Sequence, residues 1–171
     1  MIKVRIETHP EFKIVGRKTW IAGTDNEIFG LFWEQCKNDG LLEIYKRIHK
    51  NKTNTITNSM AIGVSCVEKD PENRSFYFYI ATECDECPVG DELEEYIVPA
   101  CDWAIFENKG SLPESLIASE MYAFTEWLPH SEFIHANAPE IEVYPPCNEF
   151  EGEILNEFWL PIKKKEGTGD I

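Results

Sequence analysis

A short segment near the end of the chain, LNEFWLPIKKK, combines a carboxylate with a large aromatic ring. Glu157 and Trp159 are two residues apart in a stretch that alternates as a β-strand does. Because side chains alternate between the two faces of a strand, both should point one way, and Phe158 and Leu160 the other. If that second pair packs under helices, the first pair faces a cleft, where a carboxylate among rings is able to hold a cation.

Further rings for such a cleft come from the segment FYFYIATE, which occupies the equivalent place in the first half of the chain. Tyr77 and Tyr79 in that segment should face Glu157 from the opposite side. Trp33 and Trp127 lie on predicted helices, and each is either a cage residue or a core residue. An aromatic face attracts positive charge by roughly 0.5–2 kcal/mol per contact, so these rings predict a site for a flat or greasy cation.

Two alternatives stay open for these side chains. Glu157 is also compatible with the exposed face of an edge strand, where it would pair with Lys163 or another lysine. Tyr122 and Glu126 are one helical turn apart, and they either border the cleft or form a surface pair.

The composition excludes several classes of protein. The 171 residues suffice for one substantial core, and 31 acidic against 16 basic residues give a net charge of −15. This charge disfavours direct nucleic-acid binding and favours cationic ligands or basic protein surfaces, although solubility alone also explains it. No segment approaches the roughly 18 apolar residues of a membrane span, and the start MIKVRIETHPEF is not a signal peptide. We therefore expect a cytoplasmic protein without a membrane partner.

The cysteines and histidines give no metal or nucleophile pattern. Six cysteines without an export signal predict reduced thiols. Cys84 and Cys87 form a lone CxxC before Pro88, whereas structural zinc requires a second pair at suitable spacing. Neither GxSxG nor HExxH is present, and the histidines are scattered. The sequence thus predicts no metal and no cofactor, and two thiols in a turn.

The elements that would position the cleft occur in one order twice, strand–helix–strand–strand. The predicted elements of the first half are strands over 2–7 and 12–21, a helix from Asn26 to Cys36, a short helical turn over 41–48, and strands over 60–68 and 75–83. Those of the second half are an extended stretch over 93–107, a helix from Pro113 that ends before Pro129, and strands over 140–144 and 153–163.

This order predicts an α+β fold with antiparallel sheets, in which duplicated halves are related by a pseudo-twofold axis around a central ligand cleft. We expect a single domain over residues 1–163, with half-repeats at about 1–84 and 92–163. Residues 85–91 would link the halves, and residues 164–171 would form a flexible tail.

Three motifs of the second half carry a family resemblance. EWLPHSEF, PEIEVYPP and EFWLPIKK, in this order, resemble the second half of the GyrI-like (gyrase-inhibitor-like) small-molecule-binding domain. That domain is also the effector domain of AraC- and MerR-type multidrug-responsive regulators. FKIVGRKTWIAG and IFGLFWEQC match its first half more loosely. Since the first strand starts at Ile2, without room for a preceding DNA-binding segment, the resemblance implies a stand-alone member.

The resemblance implies a function for the last strand. In the multidrug-binding members a strand glutamate is the counter-ion of the ligand, and the corresponding residue here is Glu157. The implied function is the capture of hydrophobic, preferably cationic, small molecules. In a hydrolytic subset that opens cyclopropane-containing compounds, a glutamate and pocket aromatics are implicated in catalysis. Whether this chain is an enzyme therefore stays open: Glu157 would act as general acid/base in a cofactor-independent hydrolase. A protein-binding antagonist or a homodimer is a further alternative.

Overall fold

Nine antiparallel strands form one sheet in the computed structural model, which describes residues 1–22, 27–51, 54–68, 75–86, 92–145 and 154–166. The elements of the first half are β1 (Lys3–His9), β2 (Phe12–Ala22), α1 (Glu27–Asn38), α2 (Leu41–Asn51), β3 (Ile62–Ser65) and β4 (Ser75–Glu83). Those of the second half are β5 (Glu94–Val98), β6 (Cys101–Gly110), α3 (Glu114–Tyr122), a π-helical turn (Ala123–Trp127), β7 (Phe133–His135), β8 (Glu140–Val143) and β9 (Ile154–Lys164). The predicted α+β class is confirmed, whereas the pseudo-twofold axis and the half-repeat boundaries stay predictions.

The strand order forces the sheet to curl. It runs β1-β6-β9-β8-β3-β4-β2-β5, with β7 paired to β9 off this path. β1 and β2 are joined by only two residues, yet they lie near opposite ends of this order, and β5 and β6 are related in the same way. In a flat sheet β2 and β6 would be about 24 Å apart, five strand spacings. The ends of the sheet must therefore bend towards each other.

Alternation along the strands divides the core into an inner and an outer part. The inner face is filled by one apolar cluster that joins Phe12 and Ile14 of β2 to Trp103 of β6 and Trp159 of β9. On the outer face, α1 and α2 cover a second cluster around Phe78. The third cluster lies under α3, around Phe106, Phe158 and Leu160. The expectation that Phe158 and Leu160 pack under a helix, opposite Trp159, is confirmed.

The first helix is close to its predicted bounds, and it ends at Asn38 rather than at Cys36. Its apolar stripe buries Phe32 and Cys36 against the sheet. The helix stops at Asn38 because Gly40 adopts a left-handed backbone with φ of +76°, and the Gly40 amide donates to the Lys37 carbonyl. None of the described helices is both long enough and apolar enough to span a membrane.

Several elements differ from the sequence-based expectation. The extended stretch over 93–107 divides at Pro99-Ala100 into β5 and β6, which pair with different neighbours. The short turn over 41–48 is the three-turn helix α2, and β7 was not predicted at all. β9 continues through Lys164, the first residue of the predicted tail; the rest of that tail from Gly167 and most of the linker, from Cys87 to Asp91, lie outside the described residues.

The expectation of reduced thiols is wrong for Cys84, which is disulfide-bonded. Its backbone amide donates to the carbonyl of Lys13 in β2, which fixes the position of this cysteine directly after β4. Cys36, Cys66 and Cys101 are free thiols among the described residues, and Cys87 is not described. The expectation was based on the cellular compartment and on the spacing of cysteines in the sequence. Neither determines which sulfur atoms lie close enough in space to form a disulfide.

The close contact of β2 with β4 gives the first testable prediction. A Cβ added at Gly16 would lie 2.6 Å from the Ile80 carbonyl oxygen and 2.7 Å from Ala81 Cβ. One of these atoms is a backbone atom of β4 and the other is a Cβ attached to that backbone, so neither is able to rotate away. Gly16→Ala should therefore lower the free energy of unfolding by about 2–3 kcal/mol, measured by urea denaturation.

Gly30 in α1 is the matched control, since a Cβ there meets no atom within 4 Å. Gly30→Ala should leave the protein as stable or stabilise it by up to about 1 kcal/mol, because alanine has the higher helix propensity. Equal effects of the two substitutions would contradict the tight β2–β4 approach.

Candidate functional site

Glu157 is buried, 5% exposed, on the inner face of the sheet. Its Oε2 accepts from Arg5 Nη2 at 2.9 Å, and its Oε1 accepts from the Trp159 indole Nε1 at 2.9 Å. Arg5 also bonds Glu7 at 2.6 Å and lies 3.9 Å from Glu107. Glu157, which the resemblance implied as the counter-ion of a ligand, is therefore already paired with a cationic side chain of the protein, Arg5.

The two predicted tyrosines lie on the same face as Glu157. Tyr79 is buried in the inner cluster together with Trp159, and its hydroxyl reaches Glu94 at 3.4 Å. Tyr77 is 43% exposed, with its ring edge-on to Trp20 and with Lys18 Nζ 4.2 Å from its centroid. The existing lysine thus occupies the cation-binding face of Tyr77.

The other predicted cage residues lie on the outer face. Trp127 stacks on Phe133 at 5.9 Å and meets Phe106 edge-on, within the cluster under α3. Tyr122 packs edge-on against the same Phe106. Trp33 of α1 contacts Tyr144 edge-on at 5.7 Å, just beyond β8. The seven predicted side chains are therefore divided between two faces of the sheet and do not form one cage.

A carboxylate that was not among the candidates occupies the centre of the outer face. Glu142 lies on β8, opposite Phe158 of β9 on one side and Gly63 of β3 on the other. It lies between the cluster covered by α1 and α2 and the cluster covered by α3, where the two halves of the sheet meet. We call the strip of outer face above Glu142, between α1 and α3, the central groove.

The surroundings of Glu142 leave its charge without compensation. Burial raises the pKa of its carboxyl to about 7; the hydrogen bond from the Tyr144 hydroxyl, at 2.7 Å, opposes this rise, and the negative charge of Glu140 adds to it. Within the described residues no cationic side chain pairs with Glu142. Gly63 makes room for the carboxylate, because a Cβ at that position would lie 2.8 Å from Glu142 Oε2.

The wall of the groove on the α3 side is built by a local change of helix type. In the π-helical turn the Leu128 amide donates to the Ala123 carbonyl, five residues back. Phe124 in this turn stacks over His135 at 6.5 Å and lies 5.9 Å from Phe158. Glu142 therefore lies between two aromatic side chains: Trp33 of α1 contacts its hydrogen-bond partner Tyr144, and Phe124 contacts its cross-strand neighbour Phe158.

The signal for Glu142 was present in the segment PEIEVYPP. Ile141 and Val143 alternate with Glu140, Glu142 and Tyr144, and the two apolar side chains fill the inner core. The alternation predicts that both carboxylates share one face. It does not predict that β8 is a central strand with a neighbour on each side, and this position is what buries Glu142.

Two cavities in the described residues lie elsewhere, and neither is lined by Glu142 or Glu157. One of about 370 Å³ includes Glu83, whose carboxylate is satisfied by the Ile56 and Thr57 amides and the Thr57 hydroxyl. The other, of about 430 Å³, includes Arg17, which is paired with Asp39 and Glu92. No group of three His, Cys, Asp or Glu side chains in the described part of the chain is arranged to hold a metal.

The family model of the integron-associated effector binding protein, Cass2, matches residues 5–162. The chain belongs to this family. It is the GyrI-like family of folds that the sequence motifs indicated. No curated protein matches the chain by sequence.

Three solved structures share the fold at low sequence identity. SAV2435 bound to tetraphenylphosphonium is 15% identical with a TM-score of 0.77, and the match covers 94% of each chain. An integron cassette protein from the mobile metagenome of Vibrio cholerae is 13% identical with a TM-score of 0.65, over 94% of this chain and 95% of that one. The EcmrR C-terminal domain is 13% identical with a TM-score of 0.63, over 96% and 99%. As a member of an effector-binding family, the protein binds small molecules.

The uncompensated carboxyl makes stability depend on pH. In the folded protein the Glu142 carboxyl keeps its proton to about pH 7, compared with an ordinary value of 4.5. Its contribution to stability is therefore complete below about pH 4.5 and is lost as the pH rises through about 7. Glu142→Gln should remove this loss and stabilise the protein at pH 8, relative to wild type, by on the order of 2 kcal/mol in urea denaturation.

Glu157→Gln is the matched control, because this carboxylate is also withdrawn from solvent but is paired with Arg5. It should destabilise the protein by about 1–3 kcal/mol, since Arg5 loses its charged acceptor. A Glu142→Gln variant that is less stable than wild type at pH 8 would contradict the assignment of Glu142 as the uncompensated group.

Proposed function

We propose that the protein binds bulky aromatic cations in the central groove, with Glu142 as the counter-charge. The observation that carries the proposal is a half-buried carboxyl that has no cationic partner among the described residues but has aromatic side chains around it. A cation placed there restores the electrostatic stabilisation that burial removes from the carboxylate.

The aromatic side chains suit the same class of ligand. The Trp33 ring lies edge-on to Tyr144, whose hydroxyl already donates to Glu142, and Phe124 lies across the groove near Phe158. Their faces attract a cation whose charge is spread over apolar groups, at roughly 0.5–2 kcal/mol per contact. The net charge of −15 would draw cations towards the protein at low ionic strength.

The location differs from the one proposed from sequence. Glu157 has Arg5 at 2.9 Å, and a ligand would have to displace this arginine to reach it. Glu142 needs no such exchange, so we assign the counter-charge to Glu142. The structural likeness to SAV2435, whose solved complex contains tetraphenylphosphonium, supports this class of ligand.

Titration calorimetry with tetraphenylphosphonium tests the proposal. Glu142→Gln should weaken binding about 10- to 100-fold, because a charge-assisted contact is lost, whereas Glu157→Gln should leave the affinity nearly unchanged. Because the cation binds the ionised carboxylate, wild-type affinity should rise as the pH passes through about 7 and fall about tenfold per unit below it. Binding that is independent of both Glu142 and pH would refute the assignment.

A second candidate function follows from the same carboxyl. A group with a pKa of about 7 beside a tyrosine hydroxyl at 2.7 Å is able to transfer protons near neutrality. This favours a hydrolase that acts through Glu142 rather than through Glu157.

An activated cyclopropane substrate separates capture from hydrolysis. A hydrolase should form the ring-opened product with a rate midpoint at about pH 7, and Glu142→Gln should abolish turnover while the substrate still binds. If chromatography shows that the substrate is bound and returned unchanged, the protein only captures it.

A further inference from the structure

Two carboxylates, not one, point into the central groove from β8. Glu140 and Glu142 are two residues apart on the same face of the strand, so their Cα atoms are separated by about 6.6 Å. The charge of Glu140 reaches Glu142, where it adds to the burial that raises the pKa of that carboxyl. A groove with both charges exposed would suit a dication, whereas a groove with one would suit a monocation.

His135 stands beside the first of these carboxylates. Its Nε2 is 3.0 Å from Glu140 Oε2, and its Nδ1 is 2.6 Å from the Ala136 carbonyl oxygen. Carbonyl and ionised carboxylate oxygens only accept hydrogen bonds, so both ring nitrogens must carry a proton. This is the hydrogen-bonding pattern of an imidazolium. The two side chains are both largely buried, which keeps the pair from being screened by solvent.

The position of His135 is set by elements that also form the groove. β7 pairs His135 with Ile162 of β9, and the Phe124 ring lies parallel to the imidazole, 11° from it. Two other charged groups influence this region. The negative charge of Glu68, after β3, raises the pKa of His135, and that of Glu120 in α3 raises the pKa of Tyr144. Among them, His135 supplies the positive charge that bonds Glu140 directly.

We propose that His135 is a specificity-determining residue: its imidazolium pairs with Glu140 and offsets part of its charge, so that Glu142 is the one unpaired carboxylate of the groove among the described residues and the groove selects monocations over dications. This inference rests on the proposed function of the groove. It assigns to the His135–Glu140 pair a role that does not require contact with the ligand.

Two probes of nearly the same shape test it. N-methyl-4-phenylpyridinium carries one charge, and N,N′-dimethyl-4,4′-bipyridinium carries two, at a separation close to that of Glu140 and Glu142. The affinities of the full chain for both are measured by calorimetry at pH 7 for wild type, His135→Gln, Glu140→Gln and the double variant. Glutamine keeps a hydrogen-bond donor near Glu140 and removes the charge.

His135→Gln should raise the ratio of dication to monocation affinity about tenfold, because Glu140 is then an unpaired charge. Adding Glu140→Gln should return the ratio to near the wild-type value. Glu140→Gln alone should lower it, because the imidazolium then repels the second charge.

The outcomes separate the inference from the function on which it rests. If wild type binds the monocation through Glu142 but His135→Gln leaves the ratio unchanged, the specificity role is overturned and the binding function stands. If wild type binds neither probe, both are overturned.

A measurement on the wild-type protein covers the case in which the variant fails to fold. The ¹⁵N chemical shifts of the His135 ring at pH 7 should be those of an imidazolium with two protonated nitrogens. A neutral ring would overturn the inference without any substitution.

Discussion

The exchange of edge strands between the two halves determines the surroundings of both candidate carboxylates, Glu157 and Glu142. β1 leads into β2 but pairs with β6, and β5 leads into β6 but pairs with β2. Because each exchanged strand is joined to its successor by two residues, the sheet curls until its ends approach each other. The inner face then closes over a single apolar cluster, in which rings from both halves meet. On the outer face, the helices of the two halves instead cover two separate apolar clusters, one on each side of Glu142.

The same exchange explains why Glu157 and Glu142 differ in chemistry. Arg5 belongs to β1, and only the pairing of β1 with β6 brings it to Glu157 on the adjacent β9. That carboxylate is consequently a structural group with a guanidinium and an indole as donors. Glu142 lies on the opposite face, beyond the reach of β1, and its environment is a tyrosine hydroxyl and a second carboxylate. Both positions carry a glutamate, so the difference between their surroundings arises from the strand topology.

The local parts of this arrangement were predictable, and the non-local parts were not. Alternation placed Glu157 and Trp159 on one face of β9 and Phe158 and Leu160 under α3, and the bounds of β4 were predicted as they are observed. These inferences need only the two-residue period of a strand.

The partner of Glu157 could not be predicted in this way, because Arg5 is 152 residues away in the chain. Nor could the central position of β8, which is set by pairing with β3 from the other half. β7 is three residues long, and the π-helical turn shows the same apolar spacing as an ordinary helix, so neither has a clear local signal.

Glu140 and Glu142, two residues apart on one face of β8, differ in that only Glu140 has a cationic partner among the described residues. Two residues earlier on the same face, the chain supplies His135 to Glu140 with both ring nitrogens bonded. The fold is thus able to compensate a carboxylate at this position of the sheet. At Glu142 it instead has a glycine, Gly63, on the neighbouring strand, and the carboxylate occupies the space that a side chain there would fill. A half-buried acid that is accommodated but not neutralised costs stability at neutral pH, and such local departures from good electrostatics are found where a protein binds or reacts. Under the proposed function, the missing charge is the part of the site that the ligand brings.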